Sequence, residues 1–128
     1  MKLKLTSIII FVQSIEVLKD FYVGILALEI IEEYGNNWLL LKAGECQIGL
    51  HKIGQQYLEQ NQEAFKFDNN TKIVFEVEEN LYVLREQLIA QQVTLGEVKT
   101  FDNYDYFLCN GEDPEGNVFQ LKQQKPKP

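Results

Sequence analysis

One β-branched run occurs twice in this chain, and each copy opens the same series of elements. Ser7-Ile-Ile-Ile-Phe-Val12 lies over Lys72-Ile-Val-Phe-Glu-Val77, and each run is followed by an amphipathic stretch and then by three strand-like runs. Two copies are too few for a solenoid, whose repeats are stable only when several stack, so they must combine into one sheet system. The expected fold class is therefore α+β: two βαβββ modules forming a cupped, mostly antiparallel sheet system. At 128 residues the chain is one domain in length, enough to bury roughly 68–70% of the surface its unfolded form exposes. The boundaries are module one at about 3–52, a linker at about 53–70, module two at about 71–123 and a frayed tail at 124–128, with fraying already possible from Lys122.

Within module one, Ser7–Val12 reads as a buried strand. Ser14 is placed to cap a helix whose Leu18, Phe21, Tyr22 and Ile25 fall at i, i+3, i+4 and i+7, one apolar stripe. Leu28–Tyr34, Trp38–Lys42 and Cys46–Lys52, separated by Gly35-Asn36-Asn37 and Ala43-Gly44-Glu45, read as an antiparallel meander. The polar stretch Ile53–Asn70 reads as a linker, with a short helix possible over Tyr57–Lys66. In module two the expected elements are a strand at Lys72–Val77, a helix at Leu81–Gln91, and strands at Val93–Val98, Tyr104–Cys109 and Asn117–Lys122. The last two strands are joined by a turn at 111–117.

Charge narrows the partners. Twelve basic against nineteen acidic residues leave a net charge of −7. Phosphate backbones and anionic lipid repel such a chain, so neither nucleic acid nor a membrane is an expected partner. The uncharged stretch from Leu5 to Ile15 lacks a signal-peptide cleavage site, and no run approaches the roughly 20 apolar residues of a membrane span. Cys46 and Cys109 have no CxxC spacing and read as reduced thiols. The expected location is the cytoplasm.

Taken together, the strand Ser7–Val12, the helix ending Phe21-Tyr22-x-x-x-Leu26-x-Leu28-Glu29, and the turn Asp113-Pro-Glu-Gly-Asn117 resemble the vicinal-oxygen-chelate superfamily. That superfamily groups glyoxalase I, bleomycin-resistance proteins and extradiol dioxygenases. The resemblance covers nearly the whole chain and implies its fold. It also implies a homodimer in which modules of two chains close each cup. One departure is local: Ala27 stands where the family usually has glycine. A left-handed helix cap there costs a non-glycine residue about 1 kcal/mol, unless the helix end is rearranged or Gly24 takes over.

The departures that bear on function lie at the metal-ligand positions. The resemblance places these at Ser7, Gly49, Lys72 and Gln120, and none is a histidine or carboxylate. Divalent ions want imidazole nitrogens and anionic oxygens. A protonated lysine about 4 Å from a dication is repelled by about 8 kcal/mol at an effective dielectric of 20. With a single histidine, His51, one chain cannot supply two imidazole ligands. No metal and no other cofactor is expected.

Period-two alternation assigns the residues that share the cup with those four positions. Ile9 and Phe11 lie on the first strand, Gln47 and His51 on the fourth, Val74 and Glu76 on the fifth, and Val118 and Lys122 on the eighth. Trp38 or Leu40 joins them from the third. Gly49 either marks a close backbone approach or leaves room for a ligand. Lys72 reads as an anchor for a carboxylate or phosphate, as an activated amine, or more simply as a lysine paired with Glu76. His51 suits general acid–base work, with a hydrogen-bonding rim residue as the plainer reading. Trp38, Tyr104 and Tyr106 can stack on a planar ligand.

Two functions follow from this reading. The first is a metal-independent binding protein, similar to bleomycin-resistance proteins, that sequesters a cationic or planar small molecule. The second is an enzyme of lyase or dioxygenase type that uses Lys72 or His51, or a relocated metal site.

Overall fold

The computed structural model describes residues 1–54 and 71–128. It divides into two compact units, Met1–Lys66 and Phe67–Pro128. The linker expected at 53–70 and its possible helix lie outside the described residues, apart from Ile53 and Gly54. Ile53 is buried, and its amide donates to the Val12 carbonyl (2.8 Å).

In the first unit, β1 (Ser7–Val12), β2 (Glu29–Tyr34), β3 (Trp38–Ala43) and β4 (Cys46–Lys52) form one sheet in the order β1-β4-β3-β2. The meander β2-β3-β4 is antiparallel, and β1 lies parallel to β4. A helix, α1 (Ile15–Lys19), continues as a π-helical turn over Asp20–Ile25. Ser14 caps it through a bond from the Val17 amide to Oγ (3.3 Å). Alternate strand residues Val12, Leu39, Leu41, Ile48 and Leu50 are buried, as are Ile15, Leu18, Phe21 and Tyr22 of the helix. The apolar stripe thus covers one sheet face, which is the main source of stability for a unit of this kind.

Ala27 adopts φ +61 while the Leu28 amide donates to the Tyr22 carbonyl (3.0 Å). Gly24 does not take over the left-handed position. The wide π turn and the strained alanine therefore occur together at this helix end.

The second unit repeats the plan with β5 (Ile73–Val77), α2 (Leu81–Ala90), β6 (Thr94–Leu95), β7 (Tyr106–Glu112) and β8 (Val118–Gln124), ordered β5-β8-β7-β6. β5 is parallel to β8, and the remaining pairs are antiparallel. Leu81, Leu88, Val93, Cys109, Phe119 and Leu121 are buried. Two side chains supply acceptors for amides that the start of α2 leaves unpaired. Asn80 Oδ1 accepts from the Val83 amide (3.2 Å), and buried Gln123 Oε1 accepts from the Leu81 amide (2.7 Å).

Three expected elements move. The strand expected at Val93–Val98 shrinks to Thr94–Leu95: the Gly96 amide still donates to the Asn110 carbonyl (2.8 Å), but the Gly96 carbonyl accepts from Arg85 Nε (2.7 Å), and pairing resumes only at an isolated Lys99–Leu108 bridge. The strand expected from Tyr104 begins at Tyr106, after a left-handed Asn103 and a bond from the Tyr104 amide to the Phe101 carbonyl (3.2 Å), and it runs on through Gly111 and Glu112. The last strand continues to Gln124, past the expected Lys122, and the Lys125 amide donates to the Asp105 carbonyl (2.7 Å). The connecting turn is held by buried Asp113, whose Oδ1 accepts from the amides of Glu115 (2.9 Å) and Asn117 (3.0 Å).

Candidate functional site

Because α1 covers one face of the first sheet, the alternate residues of its strands are left on the other face. Strand register arranges these in three rows. Ser7, Gln47, Lys42 and Glu29 form a polar row, and Ile9, Gly49, Leu40 and Glu32 form a mixed one. Phe11, His51, Trp38 and Tyr34 form a third, with an aromatic ring contributed by every strand. The His51 ring lies 5.4 Å from that of Phe11 and 6.1 Å from that of Trp38. Ile9 and Phe11 are each 49% exposed, so this face presents apolar surface where a purely structural strand would place polar residues.

The six site residues expected on the first module, Ser7, Ile9, Phe11, Gln47, Gly49 and His51, therefore share one face. Trp38 joins them, which settles the phase of β3; Leu40 shares the face but is buried. The space above Gly49 is not open. A Cβ there would come within 2.5 Å of the Trp38 ring and 3.3 Å of Ile9. Gly49 is needed because the indole takes up the space a side chain would fill, so its contribution is to seat Trp38 and not to leave a void.

Glu32 was not legible from alternation. A β-bulge between Ile30 and Glu32 adds one residue to β2, so Ile30 pairs with Leu41 while Glu32 pairs with Leu40. The bulge brings the Glu32 carboxylate to the aromatic face, where Trp38 Nε1 donates to its Oε2 (3.0 Å). The next residue, Glu33, falls on the helix side and pairs with Lys19 (2.6 Å). His51 Nδ1 lies 2.8 Å from the Lys52 carbonyl. A carbonyl only accepts, so Nδ1 carries a proton and Nε2 is the atom of the neutral ring able to accept one.

On the second sheet, Val74, Glu76, Val118, Gln120 and Lys122 share the face turned away from the buried Phe119 and Leu121, with Tyr106, Leu108, Asn110 and Glu112 of β7. Lys72 immediately precedes β5. Its partner is Asn110, whose Oδ1 accepts from Lys72 Nζ (3.2 Å) and from Gln120 Nε2 (3.1 Å). The expected pairing of Lys72 with Glu76 does not form. Four residues of strand span about 13 Å, and Glu76 instead meets Lys122 directly across the ladder (3.7 Å). Lys122 Nζ also sits 4.5 Å above the Tyr106 ring, a cation–π contact.

Elsewhere, Cys46 and Cys109 are free thiols. Burial pushes the Cys109 thiol above its usual pKa, against the opposing pull of Arg85. The depression lined by Gln13, Ser14, Glu16, Asn36 and Lys52 contains none of the expected site residues.

The four metal-ligand positions implied by the resemblance do not fit a divalent ion. Gly49 has no donor and lies beneath an indole, Lys72 is a cation, and Ser7 and Gln120 offer only neutral oxygens. Among the described residues no group of three or more histidine, cysteine, aspartate or glutamate side chains is placed to hold a metal.

No protein-family model and no curated protein matches the chain. Solved structures do. A glyoxalase family protein from Enterococcus faecalis is 19% identical, with 93% of this chain and 96% of that one covered and a TM-score of 0.72. The chain has the glyoxalase, or vicinal-oxygen-chelate, fold. The same fold is found in the genomically encoded fosfomycin resistance protein FosX from Listeria monocytogenes (13% identity; 98% and 96% covered; TM-score 0.74). It is found again in an integron cassette protein from the mobile metagenome of V. cholerae (21% identity; 96% and 97% covered; TM-score 0.70). A glyoxalase fold carries several chemistries, so identities this low speak for architecture and leave activity to the side chains.

Proposed function

We propose that the protein binds an organic small molecule without a metal, and that the ligand is planar and cationic. The observation that carries this reading is the aromatic row Phe11–His51–Trp38–Tyr34 on an open sheet face, with the Glu32 carboxylate fixed against the Trp38 indole. Flat rings bind flat rings by offset or edge contact, and a cation gains further from ring faces and a nearby carboxylate. A net charge of −7 adds a long-range attraction of the same sign. The metal-ligand positions support binding over a lyase or dioxygenase with the family's metal. The alternative that remains is an enzyme using Lys72 or His51, or a relocated metal site, for which the described residues offer no cluster of three or more histidine, cysteine, aspartate or glutamate side chains. One observation favours an enzymatic role for His51: its Nδ1 contact with the Lys52 carbonyl leaves Nε2 as the proton acceptor beside the aromatic row. With the resemblance comes a homodimer, the cytoplasmic location read from the sequence belongs to the same proposal, and the acidic charge argues against nucleic acid or membrane as a partner. Among the described residues no helix is long and apolar enough to cross a membrane.

Trp38 is the chain's one tryptophan, so its emission reports on this face directly. N-methylquinolinium should quench it saturably, quinoline at pH 8 should bind more weakly, and Glu32→Gln should narrow the difference. Absence of saturable quenching by either compound would refute binding at this face. Equal affinity of the two for the unaltered protein would refute the cationic preference alone.

A further inference from the structure

The second sheet carries a cluster of different character. We infer that Lys72, Asn110 and Gln120, all of the second unit, form a seat for an oxyanion, a carboxylate or a phosphate. The Asn110 side chain is oriented by its two bonds: its oxygen faces Lys72 Nζ (3.2 Å) and Gln120 Nε2 (3.1 Å), which turns its NH₂ group away from both. After these bonds the ammonium keeps two of its three N–H donors, the Gln120 amide one of two, and the Asn110 amide both. The cluster is thus rich in unused donors and carries one positive charge.

The charge is not neutralised locally. Asn110 is a neutral partner, and among the described residues no carboxylate lies within ion-pair distance of Lys72. Glu76 is engaged by Lys122, and Glu112, two residues along the same face of β7 from Asn110, does not pair with Lys72. Beside Gln120 in the register lies Val74, 46% exposed. An organic anion can therefore place its charged end on the donors and its apolar body on Val74. An ammonium positioned by a neutral oxygen retains its full attraction for an anion, and charge-assisted bonds to it are about twice as strong as neutral ones.

Side-chain amide NMR resonances of Asn110 and Gln120 in the full chain provide the test, titrated with sodium acetate and with inorganic phosphate at constant ionic strength in chloride. Saturable shifts of both resonances with at least one anion are expected. Saturation by phosphate alone assigns the seat to phosphate, and saturation by acetate alone assigns it to carboxylate. Lys72→Met and the isosteric Asn110→Asp, which gives Lys72 an internal carboxylate, should each weaken the response about tenfold or more, while Lys72→Arg should retain it. Shifts that never saturate, or that are unchanged in Asn110→Asp, overturn the inference. The amide resonances report on this seat and Trp38 emission reports on the aromatic face, so failure of one reading is distinguishable from failure of the other.

Discussion

At the scale of single residues, the first sheet turns on the contact between Gly49 and Trp38. The indole occupies the position a side chain would take, so Gly49→Ala must displace either the ring or the strand. Overpacking of this kind costs about 1–3 kcal/mol, and the loss should appear as a lower denaturant midpoint together with a shifted Trp38 emission maximum. Ala27 presents the opposite case, since its strain is relieved by removing a methyl group. Ala27→Gly should raise stability by about 1 kcal/mol, measurable as a higher midpoint with unchanged Trp38 emission. The resemblance pointed to a costly left-handed position at Ala27 because the family usually has glycine there. It could not disclose that Trp38 reaches across to Gly49, because a cross-strand contact depends on register and on the direction of a ring.

At the scale of elements, periodicity located every strand and both helices among the described residues, since burial of one face imposes a period of two or of 3.6. It failed where a local bond competed with the pattern, as where the Gly96 carbonyl after β6 accepts from Arg85. It failed also at β2, where the bulge breaks alternation and puts Glu32, instead of Glu33, on the aromatic face. Gln123 shows a further kind of hidden dependence: a strand residue completes a helix. Its side chain is buried and accepts from the first amide of α2. Gln123→Met keeps the volume and removes the acceptor, leaving that amide unpaired, so a loss of about 1–3 kcal/mol is expected. Chemical denaturation monitored by circular dichroism would measure it, with Gln124→Met, at an exposed neighbouring position, as the control.

For the whole molecule, the acidic balance acts at a distance that no single contact reproduces. Attraction of a cationic ligand by a net charge of −7 is screened over about 10 Å at 0.1 M salt. The affinity of N-methylquinolinium should therefore fall markedly from low to high salt, whereas that of neutral quinoline should change little; salt titrations of Trp38 quenching compare them. Fold and charge were both legible in the composition and the repeat, while the open faces required knowing which side each helix covers. That division has a consequence for how such a chain can change. In β1, Ile8, Ile10 and Val12 face the helix side, while Ser7, Ile9 and Phe11 alternate with them on the open side. Persistence and recognition thus occupy interleaved letters of one strand, and a new binding preference can be acquired by rewriting every second letter while the intervening ones keep the unit folded.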